Sequence, residues 1–264
     1  MSKIVDELAL ITGIDIPFPA AQIVIHQPSI KEISYFGEEE FFIGCELLKF
    51  SKDSLPSEDK DNLKDQTNFD VIMSIIREKK DKSLVRNSLG AKMIFSLLFP
   101  DYTVQFKKNS IVLLKENEII EKVNGQFKKT TQLEEHRIDN DNYEDFKAIL
   151  IDIFCLSAGS GDNYNPAGDL AKKIADKLKK GNQKRAELEK QKVHFTVFGR
   201  YASILAIGLK IDLNVFNNYT VYQLYDQFKR YELKVSNDIH LKAQLAGAKN
   251  LEKVENWMKN IHED

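Results

Sequence analysis

The chain has 264 residues, with 42% hydrophobic and 30% charged side chains and a formal net charge of -2. That is enough for one large domain or two small ones, in the composition range of a soluble globular protein. Near-neutral charge excludes a global field drawing the chain to nucleic acid or to an anionic membrane, and no run of about 18 apolar residues exists to span a bilayer.

Asp6 and Glu7 interrupt the first apolar run, so no signal peptide is expected. Residues 1 to 20 hold a short helical start, then Ile14 to Pro19, where two prolines favour an extended path. Gln22 to His26 is a short β-type run ended by Pro28. Ser29, with Glu32 three residues on, has capping-box spacing and opens a helix to Phe36. Gly37 punctuates. Glu38, Glu39 and Glu40 place negative charge where a helix dipole favours it, and the helix to Phe50 is expected to bury Phe42, Ile43, Leu47 and Cys45. Ser51 to Gln66 is polar and reads as an exposed loop. Asn68 is expected to cap a helix through Val71, Ile72, Ile75 and Ile76. Leu84 to Leu98 is another helix, with Met93, Ile94, Leu97 and Leu98 inward.

The texture changes at Tyr102. Segments 102–106, 111–114 and 119–123 read as a three-stranded antiparallel meander, with turns at 107–110 and at Asn117-Glu118. Asn124-Gly125 could turn again, and 126–141 is polar and left unassigned. Tyr143, Phe146, Ile149, Leu150, Ile153 and Phe154 repeat at helical spacing. Residues 157–166 form a Gly- and Asn-rich loop, and 167–192 a lysine-rich helix. Val197 to Ile207 is apolar on most sides and is expected to be the most buried helix of that half. Thr220 and Gln223 repeat the capping-box spacing. The helix they open places Val221, Leu224, Tyr225, Phe228, Val235 and Ile239 on one face, and Gly247 stops it. Leu251, Val254, Trp257, Met258 and Ile261 make a short amphipathic coda.

Candidate chemistry is sparse. Gly159-Ser160-Gly161 lacks both the P-loop and the dinucleotide spacing, and a helix precedes it, so a loop between helices is the favoured reading. His26, His136, His194, His240 and His262 are never three or four apart, and no cysteine pair lies near one; a metal site has no support. The two cysteines, Cys45 and Cys155, sit in apolar helical patterns and read as buried thiols in a reducing compartment. No Gly-x-Ser-x-Gly elbow is present. The basic helix 167–192 could meet phosphates by charge, but it lacks aromatics to stack bases and carries an apolar edge, so a solvated amphipathic helix is favoured.

Several phrases resemble a known family. Ile25-His26-Gln27-Pro28-Ser29-Ile30-Lys31-Glu32-Ile33, followed by Phe36 to Phe42, is similar to an opening met in tail assembly chaperones of phages infecting low-GC bacteria. The helix ending in Phe154-Cys155-Leu156, Tyr164-Asn165-Pro166-Ala167-Gly168-Asp169 and Leu245-Ala246-Gly247-Ala248-Lys249 running to Trp257-Met258 are similar too. The resemblance implies a non-enzymatic, mostly helical protein without cofactor or metal. It would act in the cytoplasm of the infected bacterial host, keeping the tape-measure protein soluble while the tail tube assembles. A holdase of that kind needs an apolar surface with a charged rim. Tyr222, Leu233, Leu241 and Trp257 are expected to supply it by standing exposed on the last helices.

The resulting expectation is an α+β fold, predominantly α. Residues 1–157 form an N-terminal α+β part with a small β-meander near 102–123, and 158–264 a helical bundle. Partners are the tape-measure protein or other tail proteins, with self-association left open and no membrane. A structural tail or baseplate subunit is the alternative, followed by a nucleic-acid-binding factor using 167–192.

Overall fold

A computed structural model of the chain describes residues 5–52, 63–77, 82–123, 126–156, 196–248, 256 and 258. The fold is α+β and mainly helical, as the patterning predicts. Helix α1 (Glu7–Thr12) precedes an antiparallel hairpin of β1 (Ile16–Phe18) and β2 (Ile23–Ile25). Helices α2 (Ile30–Phe36), α3 (Glu38–Leu48), α4 (Asn68–Arg77) and α5 (Lys82–Leu98) follow. Strands β3 (Thr103–Phe106), β4 (Ile111–Val123) and β5 (Gln126–Ile138) form a second sheet. Helices α6 (Tyr143–Ile153), α7 (Val197–Leu209) and α8 (Val221–Leu245) complete the described elements, with a 3-10 turn, Leu213–Asn218, before α8. No described helix is long and apolar enough to cross a membrane. The expected loop 157–166, the basic helix 167–192 and most of the loop 51–66 lie outside the described residues, as do the coda from Leu251 and the expected boundary at 157.

Both capping boxes form. Ser29 Oγ accepts from the Glu32 amide while Glu32 accepts from the Ser29 amide at 2.7 Å. Thr220 and Gln223 do the same at the head of α8. These two helix starts meet. Ser29 and Thr220 form an antiparallel bridge, and the Ile30 amide, an orphan donor of the first turn of α2, donates to the Tyr219 carbonyl at 2.8 Å. The last carbonyls of α1 are drawn to the same place. Gln223 Nε2 donates to Ile11 O at 2.7 Å, and Gln27 Nε2 donates to Ala9 O and Ile14 O. Gly13 turns α1 out with φ of 69°, and a Cβ there would lie 3.0 Å from Gln223 Nε2. A left-handed residue without a side chain is what lets the chain pass.

The core is built around Phe146 of α6. Its ring meets Phe95, Phe99 and Phe18 at centroid distances of 5.6, 6.1 and 6.1 Å, joining α5, α6 and the first hairpin. Buried Tyr143 donates its hydroxyl to Leu48 O at 2.7 Å, satisfying a carbonyl at the end of α3.

Three local expectations are corrected. Phe41, Gly44, Cys45, Leu47 and Leu48 face the core on α3, while Phe42 and Ile43 are only half-buried. The helix is turned because Gly44 must face Gly90 of α5. The cap of α4 is Thr67, whose hydroxyl accepts from the Asp70 amide at 3.0 Å. The Asn68 side chain instead accepts from the Lys52 amide and donates to Glu144. On α4 and α5, Ile75 and Met93 are half-buried.

The meander is right in strand number and sense, in the order β3-β4-β5, but not in extent. Asn117-Glu118 is no turn: β4 runs through it, Asn117 opposite Gln132 and Glu118 opposite Thr131. The third strand is β5, in the segment left unassigned. Ile111, Val112, Leu113 and Ile138 are buried at the base. Past Leu114, β4 loses β3, and nine further pairs, Lys115↔Glu134 to Val123↔Gln126, form a two-stranded ribbon. At roughly 3.3 Å per residue the ribbon extends about 30 Å. Asn117 and Glu118 are adjacent polar residues of the kind that turns favour, and only their pairing with β5 shows that the strand continues through them.

Helices α3 and α5 cross with backbones in contact. A Cβ on Gly44 would lie 2.4 Å from Gly90 O, and one on Gly90 would lie 2.8 Å from Glu40 O and Gly44 N. Alanine normally stabilises a helix interior by about 1 kcal/mol over glycine. Here the obstructing atoms are backbone and cannot swing aside, so Gly44→Ala should instead cost about 1–3 kcal/mol. Urea unfolding of the intact chain reads the sign directly; a stabilised variant would mean that the helices separate freely.

Candidate protein-contact surface

Helix α7 starts on a carboxylate. Thr196 Oγ1 accepts from the Gly199 amide, and Glu38, the first residue of α3, accepts from the Phe198 amide at 3.0 Å. Burial pushes the Glu38 carboxyl above the usual range, and hydrogen bonds from Phe198, Val197 and Thr196 offset that only in part. Phe198 inserts beside Phe41 and Phe42, at centroid distances of 5.9 and 5.3 Å. Ala202 and Leu205 continue the buried stripe of α7.

Tyr201 stacks on Phe228 of α8 at 3.9 Å with 15° between rings, and meets Tyr225 edge-on. Gly208 sits under the ring of Tyr231, where a Cβ would lie 2.2 Å from ring atoms. These contacts fix α7 against the first half of α8, and among the described residues they leave Ile207 and its neighbours uncovered. Ile207 is 80% exposed, and Ile204, Leu209, Ile211, Leu213 and Val215 are between 36% and 49% exposed. The expectation that 197–207 is the most buried helix of its half is therefore corrected. Only Phe198, Ala202 and Leu205 are buried, because α7 is covered on one side among the described residues.

Helix α8 leaves the body. Val221, Tyr222, Leu224 and Asp226 are buried; beyond Gln227 no described residue of the helix is. Its apolar stripe continues outward through Val235 to Ile239, 62% exposed, with Leu241 and Leu245 at 54% and 89%. Gly247, with φ of 85°, ends it as the spacing predicts: its amide donates to Gln244 O, and the Ala248 amide to Ala243 O.

The four expected contact residues separate. Tyr222 is 2% exposed and belongs to the core, which corrects its expected exposure. The start of α8 is enclosed on two sides, by α7 and by α1 with α6, so residues off the main stripe are buried as well. Burial, with Glu7 and Asp226 nearby, raises the Tyr222 hydroxyl far above the usual tyrosine range. Leu233 is half-buried and Leu241 exposed; Trp257 lies outside the described residues. Periodicity along one helix could not find the α7 surface, because Ile204 and Ile207 look like core until their partner helices are placed.

Among the described residues no group of three or more His, Cys, Asp or Glu could hold a metal. His26 comes nearest to a reactive arrangement, with Nδ1 2.9 Å from Asp15 and Nε2 3.3 Å from Glu32. Its two nitrogens diverge, so the carboxylates share no point at which to ligate an ion. The Ser29 hydroxyl donates to Glu32 at 2.6 Å and not to the ring, which is the geometry of a helix cap rather than of an activated nucleophile. His136 lies under Tyr102, with Glu134 at 3.8 Å.

Residues 197–262 match the family model described as the YomV second domain. The match begins at the first residue of α7 and contains the whole bare surface. Over this segment the chain is similar to a phage-derived family. That supports a phage protein. No curated protein and no solved structure matches the chain.

The half-buried Glu38 makes the seat of α7 sensitive to pH. Its folded pKa lies above the unfolded value of 4.5, so the stability it contributes is full below about pH 4.5 and is lost as pH rises through the folded value. In Glu38→Gln the side-chain oxygen still accepts from Phe198 but cannot ionise. Urea titrations at several pH values should show the wild type losing stability relative to Glu38→Gln as pH rises above about 4.5. A constant difference would remove Glu38 as the cause.

Proposed function

We propose that this phage protein is non-enzymatic and acts by binding another protein through the bare apolar surface of α7 and the outer half of α8. The observation that carries this is Ile207, 80% exposed in the same stretch as five further exposed aliphatic residues between Ile204 and Val215. Exposed aliphatic side chains are costly in water, and where they cluster they mark contact sites. The stretch falls inside the segment similar to the phage-derived family.

The narrower reading is a tail assembly chaperone acting in the cytoplasm of the infected host. Its client would be the tape-measure protein, whose apolar helical stripe would lie along α7 and α8 as a helix lies in a groove. The resemblance of Ile25 to Ile33, followed by Phe36 to Phe42, to such chaperones supports this choice of client. Charged residues along outer α8, Lys229, Arg230, Glu232 and Lys234, supply the soluble rim.

Ile207→Asp and Leu241→Asp are on exposed positions and should each change stability by no more than about 0.5 kcal/mol. Together they should reduce co-purification of a co-expressed tape-measure protein at least tenfold while cooperative melting is kept. Undiminished co-purification would remove this surface from the function. Recovery of the protein at fixed stoichiometry in purified virions would assign it to the tail structure instead.

A further inference from the structure

Strand β3 is the outer strand of its sheet. Its turn closes with the Lys107 amide donating to Ser110 O at 2.9 Å, which fixes the phase of the ladder. Bonded pairs alternate along an antiparallel ladder. Thr103 and Gln105 are therefore the residues bonded to Leu114 and Val112, and the N–H and C=O of Val104 and Phe106 point outward. Those groups have no backbone partner among the described residues.

Beside this edge lies a cleft of about 380 Å³. Lys92 and Ser96 of α5 form one wall, Val104 and Phe106 the other, and Phe99 and Tyr102 lie between. Lys92 Nζ stands 5.9 Å from the Phe106 ring centroid and Lys115 Nζ 5.5 Å from that of Tyr102. Lys107 and Lys108 are exposed at the turn. Of the acids close by, Glu135 is paired with Arg137, and Glu134 of β5 stands opposite Lys115 and 3.8 Å from His136, leaving exposed Asp101 against Lys92, Lys107 and Lys108.

We propose that β3 is a docking edge for an extended acidic segment of another protein, which adds a strand to the sheet and sets side chains into the Lys92–Phe106 cleft. Open backbone groups on alternate residues beside a slot that can take side chains are what strand addition needs. The lysines select the partner's charge. A second copy of the chain pairing β3 with β3 would bring the same lysines together, which disfavours self-association at this edge. The site is separate from α7 and α8 and does not depend on the proposed client.

The test uses the full chain labelled with nitrogen-15 and a capped octapeptide of alternating valine and glutamate. Controls are the lysine-for-glutamate peptide and the glutamate peptide N-methylated at its valines. The glutamate peptide should shift the Val104 and Phe106 amide resonances and protect them from exchange, while both controls bind at least tenfold more weakly. Val104→Pro removes an outward N–H without removing a β3–β4 bond and should weaken binding at least tenfold, proline being tolerated at such edges. Lys92→Glu should lower the preference for the glutamate peptide at least tenfold. The controls on the unsubstituted chain decide the matter even where a variant folds poorly. Equal binding of the N-methylated peptide, no charge preference, no binding, or concentration-dependent dimerisation that protects the same amides would each overturn the proposal.

Discussion

The meeting of two helix beginnings, Ser29 with Thr220, holds the two ends of the described chain together. Each start carries orphan amides and the positive end of a helix dipole, so bringing them side by side is unfavourable unless both are neutralised locally. Glu32 places a carboxylate at one, held below its usual range: burial opposes this, but the Ser29 hydroxyl and amide and nearby His26 outweigh it. At the other start Gln223 caps without charge and uses its spare N–H on Ile11 of α1. The Ile30-to-Tyr219 bond then joins segments almost two hundred residues apart through backbone alone. Glu32 and Gln223 each bond both their own cap and a second residue, His26 and Ile11 respectively, so they tolerate little change.

From that junction follows the placement of α7 and α8. The first turns of α8 are fixed against α1 and α6, and Glu38 and the Phe41–Phe198 contact fix the head of α7. Among the described residues the helices are thus held at their roots and uncovered on part of their far sides. Rigid seating with an uncovered apolar face suits a contact surface, since little ordering entropy is left to lose on binding. The sheet presents a different kind of surface, backbone edge rather than side-chain stripe, at β3. The described residues therefore present two chemically distinct surfaces, an apolar helix side and a backbone edge.

Much of the local architecture was legible before any contact was known. Ser29 with Glu32, Thr220 with Gln223, and Gly247 after Leu245 encode helix ends through bonds that span three or four residues, so the linear order contains both partners. The α6 stripe through Phe146 and Ile153 was equally plain. The misreadings share one cause. Linear pattern points to Phe42 as core in place of Phe41, to Asn68 as a cap in place of Thr67, and to Asn117-Glu118 as a turn. Each depended on a distant partner: Gly90, Glu144 and the facing strand β5.

The candidate surface shows the same division most sharply. The sequence by itself determined that α7 is apolar and that α8 is a long capped helix with a stripe, because composition and 3.6-residue periodicity are properties of the segment alone. Only the tertiary structure decided which apolar residues are covered. Burial belongs to pairs of surfaces: Tyr222, off the stripe, is enclosed by α1 and α6, while Ile207, in the most apolar helix of its half, stands in solvent.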